Sequence, residues 1–313
     1  MPRRSRSASG LDGFLVVDKQ AGMTSHDVIG ILRRRLGERR VGHAGTLDPD
    51  ATGVLVVAVG RATRLMRFIV GADKEYRGII VLGVATSTLD SSGEVTGTFE
   101  MGHVTVSDVQ GAAASFLGHG EQIPPMVSAI KVDGVRLYEL ARAGEEVERA
   151  PRKVEVGRFD VEQTAERGVF EFVIECSSGT YVRSLVADLG TSLGGGAHLR
   201  GLRRTRVGAF DLAHAVDARL VVAEDLQPSV GLLASLSQRE VAGEVLEFVL
   251  HGRVLDAEVI DASGTGPFVL LDPTGELVAV YERVDDSRVK PIIVYAVAPT
   301  GGSSTAARQA TER

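Results

Sequence analysis

The 313-residue chain has no tryptophan and a single cysteine, Cys176. One thiol excludes an intrachain disulfide and a zinc site built from several thiolates. The absence of indole excludes a tryptophan cage or stacking platform. No apolar run reaches the roughly 20 residues that a membrane-spanning helix needs. The basic opening, MPRRSRSASG, is followed by no apolar h-region and does not read as a secretory signal. The expected location is therefore the cytoplasm. No histidine pair has the spacing of a helical zinc site, no GxSxG elbow occurs, and Gly194-Gly195-Gly196 is not followed by the Lys-Ser/Thr of a phosphate loop. No metal is expected. Ser25-His26-Asp27 spells a hydrolase triad, but adjacent residues on a helix point apart and cannot form a relay among themselves.

What is present is glycine, at 37 positions, and charge unevenly spread along the chain. The net charge of −6 argues at first against a nucleic-acid partner. From residue 211 onward, however, 16 acids and 8 bases give −8, which leaves residues 1–210 at +2. Two dense arginine clusters lie in that first part: Arg33, Arg34, Arg35, Arg39 and Arg40, then Arg200, Arg203, Arg204 and Arg206. They are either solvated faces or phosphate-binding surface. The second cluster has no acid among it, which favours phosphate.

Phe14–Asp18 reads as a short buried strand, and Thr24 caps a predicted helix over 25–36 with Asp27 in its first turn. Residues 42–53 are loop, 54–59 strand, 61–70 a short helix and 76–84 strand. A polar, turn-rich connection over 85–102 leads to a predicted helix at 107–117. Strands are expected at 128–132, 152–161 and 169–176, helices at 137–143 and 181–193, and an extended stretch over 199–210. Residues 216–236 read as mainly helical. Beyond about 238 the texture changes to short strands and glycine turns, as in PFVLLDPTGELVAVYER. The expected organisation is a tail over 1–10, a main domain over 11–236, a small β-domain over 239–297 and a tail over 298–313.

The segment richest in chemistry is VGHAGTLDPDATGVL, residues 41–55. Its glycines permit backbone shapes closed to other residues, and Pro49 fixes the chain after Asp48. It reads as a rigid loop presenting Asp48 and His43. An aspartate before proline is also a common turn residue, so both roles stay open on these residues alone. Arg183, taken without any family likeness, reads as an ordinary arginine on a helix surface.

GHAGTLDPDATGVL resembles the catalytic motif of the TruB family of pseudouridine synthases, with the family's nucleophilic aspartate at Asp48. VDKQAGMTSHD at 17–27 resembles the family's N-terminal motif, with Gln20 where proline is usual. DKEYRG at 73–78 is similar to the motif whose tyrosine lies against the target base, here Tyr76. CSSGTYVRSLVADLG at 176–190 is similar to the motif carrying the active-site arginine, here Arg183, with Tyr181 beside the base. GAHLRGLRRTRVGAF at 196–210 continues the likeness and supplies Leu202 to the pocket. The matches run in order across roughly residues 13–210.

The resemblance implies an α+β pseudouridine synthase fold, with a mixed, mainly antiparallel central sheet flanked by helices and loops. Residues 123–147 are similar to the family's RNA-gripping insertion, and the last domain to a β-rich, PUA-like module. The implied reaction converts the T-loop uridine of tRNA, position 55, to pseudouridine. It breaks the C1′–N1 bond, turns the uracil and rejoins it through C5. That isomerisation needs no redox step and no external energy, so no cofactor is expected. Asp48 would act at C1′, at a ribose proton or at uracil C6. Tyr76 and Tyr181 would stack on the extruded base, Tyr76 could assist loss of the C5 proton, and His43 could fill the gap left behind. Arg33, Arg34, Arg39, Arg40, Arg200, Arg203, Arg204 and Arg206 would hold the tRNA backbone, the protein acting as a monomer without membrane or metal. Two other roles fit the same residues: a tRNA-folding factor that needs no chemistry, and a guide-dependent synthase acting on ribosomal RNA.

Overall fold

In the computed structural model, the described residues are 10–128, 131–132, 134–137, 140, 145 and 147–296. Both tails, and most of the helix expected at 137–143, lie outside them. The chain divides into two units, residues 1–226 and 227–313.

The first unit begins with β1 (Gly13–Lys19), whose Phe14, Leu15, Val16 and Val17 are all buried. Helix α1 (Ser25–Leu36) starts where a capping box can form. The Thr24 hydroxyl accepts from the Asp27 N–H at 3.1 Å, and the Asp27 carboxylate accepts from the Thr24 N–H at 2.8 Å. Val28, Ile29, Leu32 and Leu36 recur at helical spacing and pack on one face of the sheet. β2 (Val41–His43) and β3 (Thr52–Val59) then frame the loop that holds Asp48. β3 pairs antiparallel with β1 and with β2. Seven of its eight residues are buried, as expected of a strand covered on both faces.

A 3₁₀ segment (Gly60–Phe68) leads to β4 (Lys74–Leu82). β5 (Val84–Thr86) and β6 (Val95–Thr98) form a hairpin within the stretch expected to be a plain connection. After α2 (Val106–Ala114) come β7 (Gly118–Gln122), the small hairpin of β8 (Lys131–Val132) and β9 (Val135–Arg136), then β10 (Arg152–Gln163) and β11 (Val169–Cys176). Helix α3 (Val182–Ser192), β12 (Ala197–Val207) and β13 (Phe210–Asp211) complete the sheet.

The sheet order is β1-β3-β12-β4-β11-β10-β7, with β2 on β3 and β13 on β12. Every pairing is antiparallel except β3 with β12, which is parallel at Thr52 with Arg203 and Gly53 with Arg204. The sheet is therefore mixed and mainly antiparallel, as the resemblance implied. Gly53 makes the close approach of β12 possible: at φ +103°, a Cβ there would lie 2.1 Å from the Arg204 carbonyl oxygen. On the face carrying α3, Val182, Leu185, Val186 and Leu189 pack with Ile80, Phe172 and Ile174. Each such side chain contributes about 1.5–3 kcal/mol on burial.

Residues 216–236 correct the expectation of helix. They hold only short 3₁₀ turns, Ala223–Asp225 and Ser229–Leu233. Val216 bridges to Val17 of β1, the Asp225 carboxylate caps the Val222 N–H, and Pro228 interrupts the run. The second unit takes in residues 227–236, where Ser229 is hydrogen-bonded to the Tyr295 hydroxyl at 2.6 Å. It is β-rich: β14 (Ser237–Glu240), α4 (Gly243–Leu250), β15 (Leu255–Asp256), β16 (Phe268–Leu271), β17 (Leu277–Arg283) and β18 (Arg288–Val294). Its five strands run in the order β14-β16-β17-β18-β15 over a core of Phe268, Leu270, Val278, Tyr281 and Val289.

Candidate active site

Asp48 sits in a loop whose backbone is fastened on both sides of it. On the N-terminal side, the Leu47 N–H donates to the Ser25 hydroxyl at 2.9 Å, and that hydroxyl donates to the Leu47 carbonyl at 3.2 Å. On the C-terminal side, the Pro49 carbonyl accepts from the Lys19 ammonium at 2.9 Å and from the Gly22 N–H at 3.1 Å. Lys19 also donates to the carbonyls of Ala51 at 2.6 Å and Gln20 at 3.0 Å. Its burial pulls its pKa down to about 8, so the ammonium serves as a structural clamp. Ser25 of the false triad thus has a structural task, while Asp27 caps α1.

The Asp48 carboxylate meets Arg183 from the first turn of α3. Nε lies 2.9 Å from one oxygen and Nη2 3.3 Å from the other. Arg183 is only 4% exposed, whereas the Asp48 side chain is 43% exposed and opens to the cavity. The guanidinium is held elsewhere as well. Nη1 donates to the Thr88 carbonyl at 2.9 Å and Nη2 to the Val127 carbonyl at 2.8 Å. A second carboxylate, Asp90, lies 3.7 Å from Nε. Asp90 is itself fixed by the hydroxyls of Thr88 and Ser92, each at 2.6 Å. The reading of the sequence paired Asp48 with Arg183 and missed Asp90, which carries no motif and lies in a turn-rich stretch. Desolvation raises the Asp48 pKa above its ordinary value. Arg183 opposes that rise and Asp90 adds to it.

The cavity, about 1130 Å³, is walled by Asp48, Tyr76, Tyr181, Arg183 and Leu202, so residues from four stretches of the sequence meet there. Tyr76 is buried on β4, and burial raises its phenol pKa. Tyr181 is set by its backbone: its N–H donates to the Gln122 side-chain oxygen at 2.7 Å, and its carbonyl accepts from the Gln122 amide at 3.0 Å. Leu202 reaches the wall at an irregularity in β12 between Arg200 and Arg203. His43 does not itself line the cavity. It packs edge-on against His26, which does, with ring centroids 5.8 Å apart. Burial, His26 and Arg204 lower the His43 pKa to about 4, so the ring is neutral near pH 7.

The two arginine clusters separate. Arg33, Arg34, Arg39 and Arg40 are exposed. In the second cluster, Arg200 pairs with Glu166 at 2.9 Å, Arg203 with Asp18 at 2.8 Å and Arg206 with Glu175 at 2.8 Å. Arg204 is 1% exposed and donates inward to the carbonyls of Val54 at 2.8 Å and Gly45 at 3.0 Å. That burial removes Arg204 from any RNA-backbone surface, a correction to the expectation for this cluster. Among the described residues, no group of three or more His, Cys, Asp or Glu could hold a metal ion, and no helix is long and apolar enough to cross a membrane.

Comparison with known proteins places this architecture. A Cbf5–Nop10–Gar1 complex matches with a TM-score of 0.70 at 24% identity, covering 91% of this chain and 85% of that one. An H/ACA RNP bound to a substrate RNA containing 2′-deoxyuridine matches with a TM-score of 0.68 at 22% identity, covering 92% and 85%. These two likenesses show that the chain shares the fold of those proteins. The model of the N-terminal domain of TruB family pseudouridylate synthases matches residues 33–182, and that of the tRNA pseudouridylate synthase B C-terminal domain matches residues 183–247. The tRNA pseudouridine synthase B of Rhodococcus jostii is 45% identical over 292 residues, 90% of this chain and 94% of that protein. That of Symbiobacterium thermophilum is 48% identical over 253 residues, 80% and 85% of the two chains. The chain belongs to the TruB family and is a pseudouridylate synthase.

Proposed function

We propose that the enzyme converts the T-loop uridine of tRNA, position 55, to pseudouridine, with Asp48 as the nucleophile. The observation that carries this reading is the Asp48–Arg183 ion pair opening into a cavity lined by Tyr76, Tyr181 and Leu202. The relatives' name, tRNA pseudouridine synthase B, supports tRNA as the substrate. A carboxylate held ionised beside the ribose can attack C1′ as the C1′–N1 bond breaks, or take a ribose proton. The freed uracil turns, and C5 joins C1′. A base inside a folded loop must first be extruded, at a cost of a few kcal/mol. Stacking on Tyr76 and Tyr181 offsets part of it. The exposed Arg33, Arg34, Arg39 and Arg40 lie apart from the chemistry and supply phosphate contacts to the stem-loop. The protein works as a monomer.

Deleting the gene and mapping pseudouridine in total RNA tests the assignment. Loss confined to the T-loop position of tRNA is expected. An intact T-loop pseudouridine, or a loss in ribosomal RNA instead, would sink it.

A further inference from the structure

Two buried cations on the cavity wall take no part in holding the Asp48–Arg183 pair. Lys74 is 5% exposed and Arg204 1%. Lys74 lies two residues before Tyr76 on β4, so the two share a face of that strand. Arg204 is the cross-strand partner of Tyr76 on β12, and its charge opposes the rise that burial imposes on the phenol pKa. Both cations reach under Gly45: a Cβ placed there would lie 3.5 Å from the Arg204 Nη1 and 3.5 Å from the Lys74 Cε.

Lys74 donates to the carbonyls of Val70 at 3.2 Å and Ala72 at 2.6 Å, and Arg204 to those of Val54 and Gly45. Among the described residues, neither forms an ion pair with a carboxylate. The Cys176 thiol beside Lys74 supplies no negative charge, since burial pushes its pKa up to about 11. Desolvation, then repulsion from Arg204, pulls the Lys74 pKa down to about 8. Asp73 offsets this only in part, and two like charges buried together with no paired carboxylate cost stability. Such a cost is typical of groups kept for a task at a functional site.

The reaction supplies the missing anion. When the C1′–N1 bond breaks heterolytically, its electron pair stays on the base and spreads from N1 over O2 and O4. The pair forms the new C5–C1′ bond, displacing Asp48 wherever it had bonded to C1′; the C5 proton then leaves to solvent and N1 takes up a proton, so the product ring is neutral. Attack at C1′, loss of a ribose proton and addition at C6 all gather negative charge on the pyrimidine. We infer that Lys74 and Arg204 form a cationic floor that stabilises this charge on the uracil ring. The inference rests on the cavity being the uridine site, and it assigns an electrostatic task to residues the motifs leave without one.

The test uses the full chain and tRNA tritiated at uridine C5, comparing wild type with Lys74→Met and Lys74→Arg. The expected result for Lys74→Met is a fall of about 100-fold in kcat with little change in KM. Because the Val70 and Ala72 carbonyls lose their donor, its Tm should fall, and the rates are compared well below the Tm of each variant. Lys74→Arg should recover most of the rate. Wild-type kcat in Lys74→Met overturns the proposal. So does a slow Lys74→Met enzyme that Lys74→Arg fails to rescue, because shape rather than charge is then what matters. Absence of tritium release from wild type would instead sink the tRNA assignment, and this inference with it.

Discussion

The two arginine clusters look alike as text and differ in how the folded chain uses them. The first, at the end of α1 and just before β2, is exposed, with Arg33 donating to the Val41 carbonyl at 3.0 Å, Arg35 to the Val221 carbonyl at 2.7 Å and Arg40 4.0 Å from Glu38. The second runs along β12 in the middle of the sheet, where neighbouring strands and loops bring acids to it: Glu166, Asp18 and Glu175. Its fourth member, Arg204, is buried against the loop that carries Asp48. A run of arginines free of acids in sequence says nothing about acids that arrive from other strands. One cluster leaves its guanidinium groups exposed, while the other is largely paired with acids or buried in the wall of the pocket.

Substitutions can break or sharpen that contrast. The largest effect is expected at Arg204. Arg204→Met leaves the Val54 and Gly45 carbonyls without their donor, at a cost of about 2–5 kcal/mol measured by urea unfolding, and the loosened loop should also lose activity. Next is the first cluster. Replacing Arg33, Arg34, Arg39 and Arg40 together with glutamine should leave the unfolding midpoint almost unchanged. The log–log salt dependence of tRNA binding should flatten by roughly 0.7–0.9 for each phosphate contact removed. Arg203→Ala breaks a partly exposed bidentate pair with Asp18 and should cost about 1 kcal/mol. Arg200→Ala, which breaks an exposed pair, should change neither the unfolding midpoint nor the salt dependence measurably. Equal salt effects from the two clusters would erase the distinction.

Much of the site was legible because its signals are local. Thr24 and Asp27 announce α1 through a capping box, and glycines with Pro49 mark the loop that carries Asp48. The likeness of residues 176–190 to the family motif pointed to Arg183, and its charge suits a counter-ion. What escaped depends on contacts across the fold. Asp90 reaches Arg183 because its loop docks on β12, with the Ser91 N–H donating to the Leu199 carbonyl at 3.0 Å. β7 is a polar edge strand, GHGEQ, and has no alternation to reveal it, yet its Gln122 sets the backbone of Tyr181. The helical appearance of 216–236 fails because the segment is pinned to β1 and broken at Pro228.

The ionisation of Asp48 gives the account a pH signature. Its folded pKa is raised, so activity that needs the carboxylate should decline as pH falls through a value above the ordinary aspartate range. Arg183 opposes the rise. In Arg183→Met the acid limb should therefore move to still higher pH, and kcat should fall at every pH. A limb that stays in place would mean that another group controls it.

The most direct test is C5-tritium release from tRNA by Asp48→Asn beside wild type, with binding measured in parallel. The neutral amide keeps the size of the side chain and loses its charge. The account predicts tRNA bound with near wild-type affinity and no release above background. Release at the wild-type rate would contradict it.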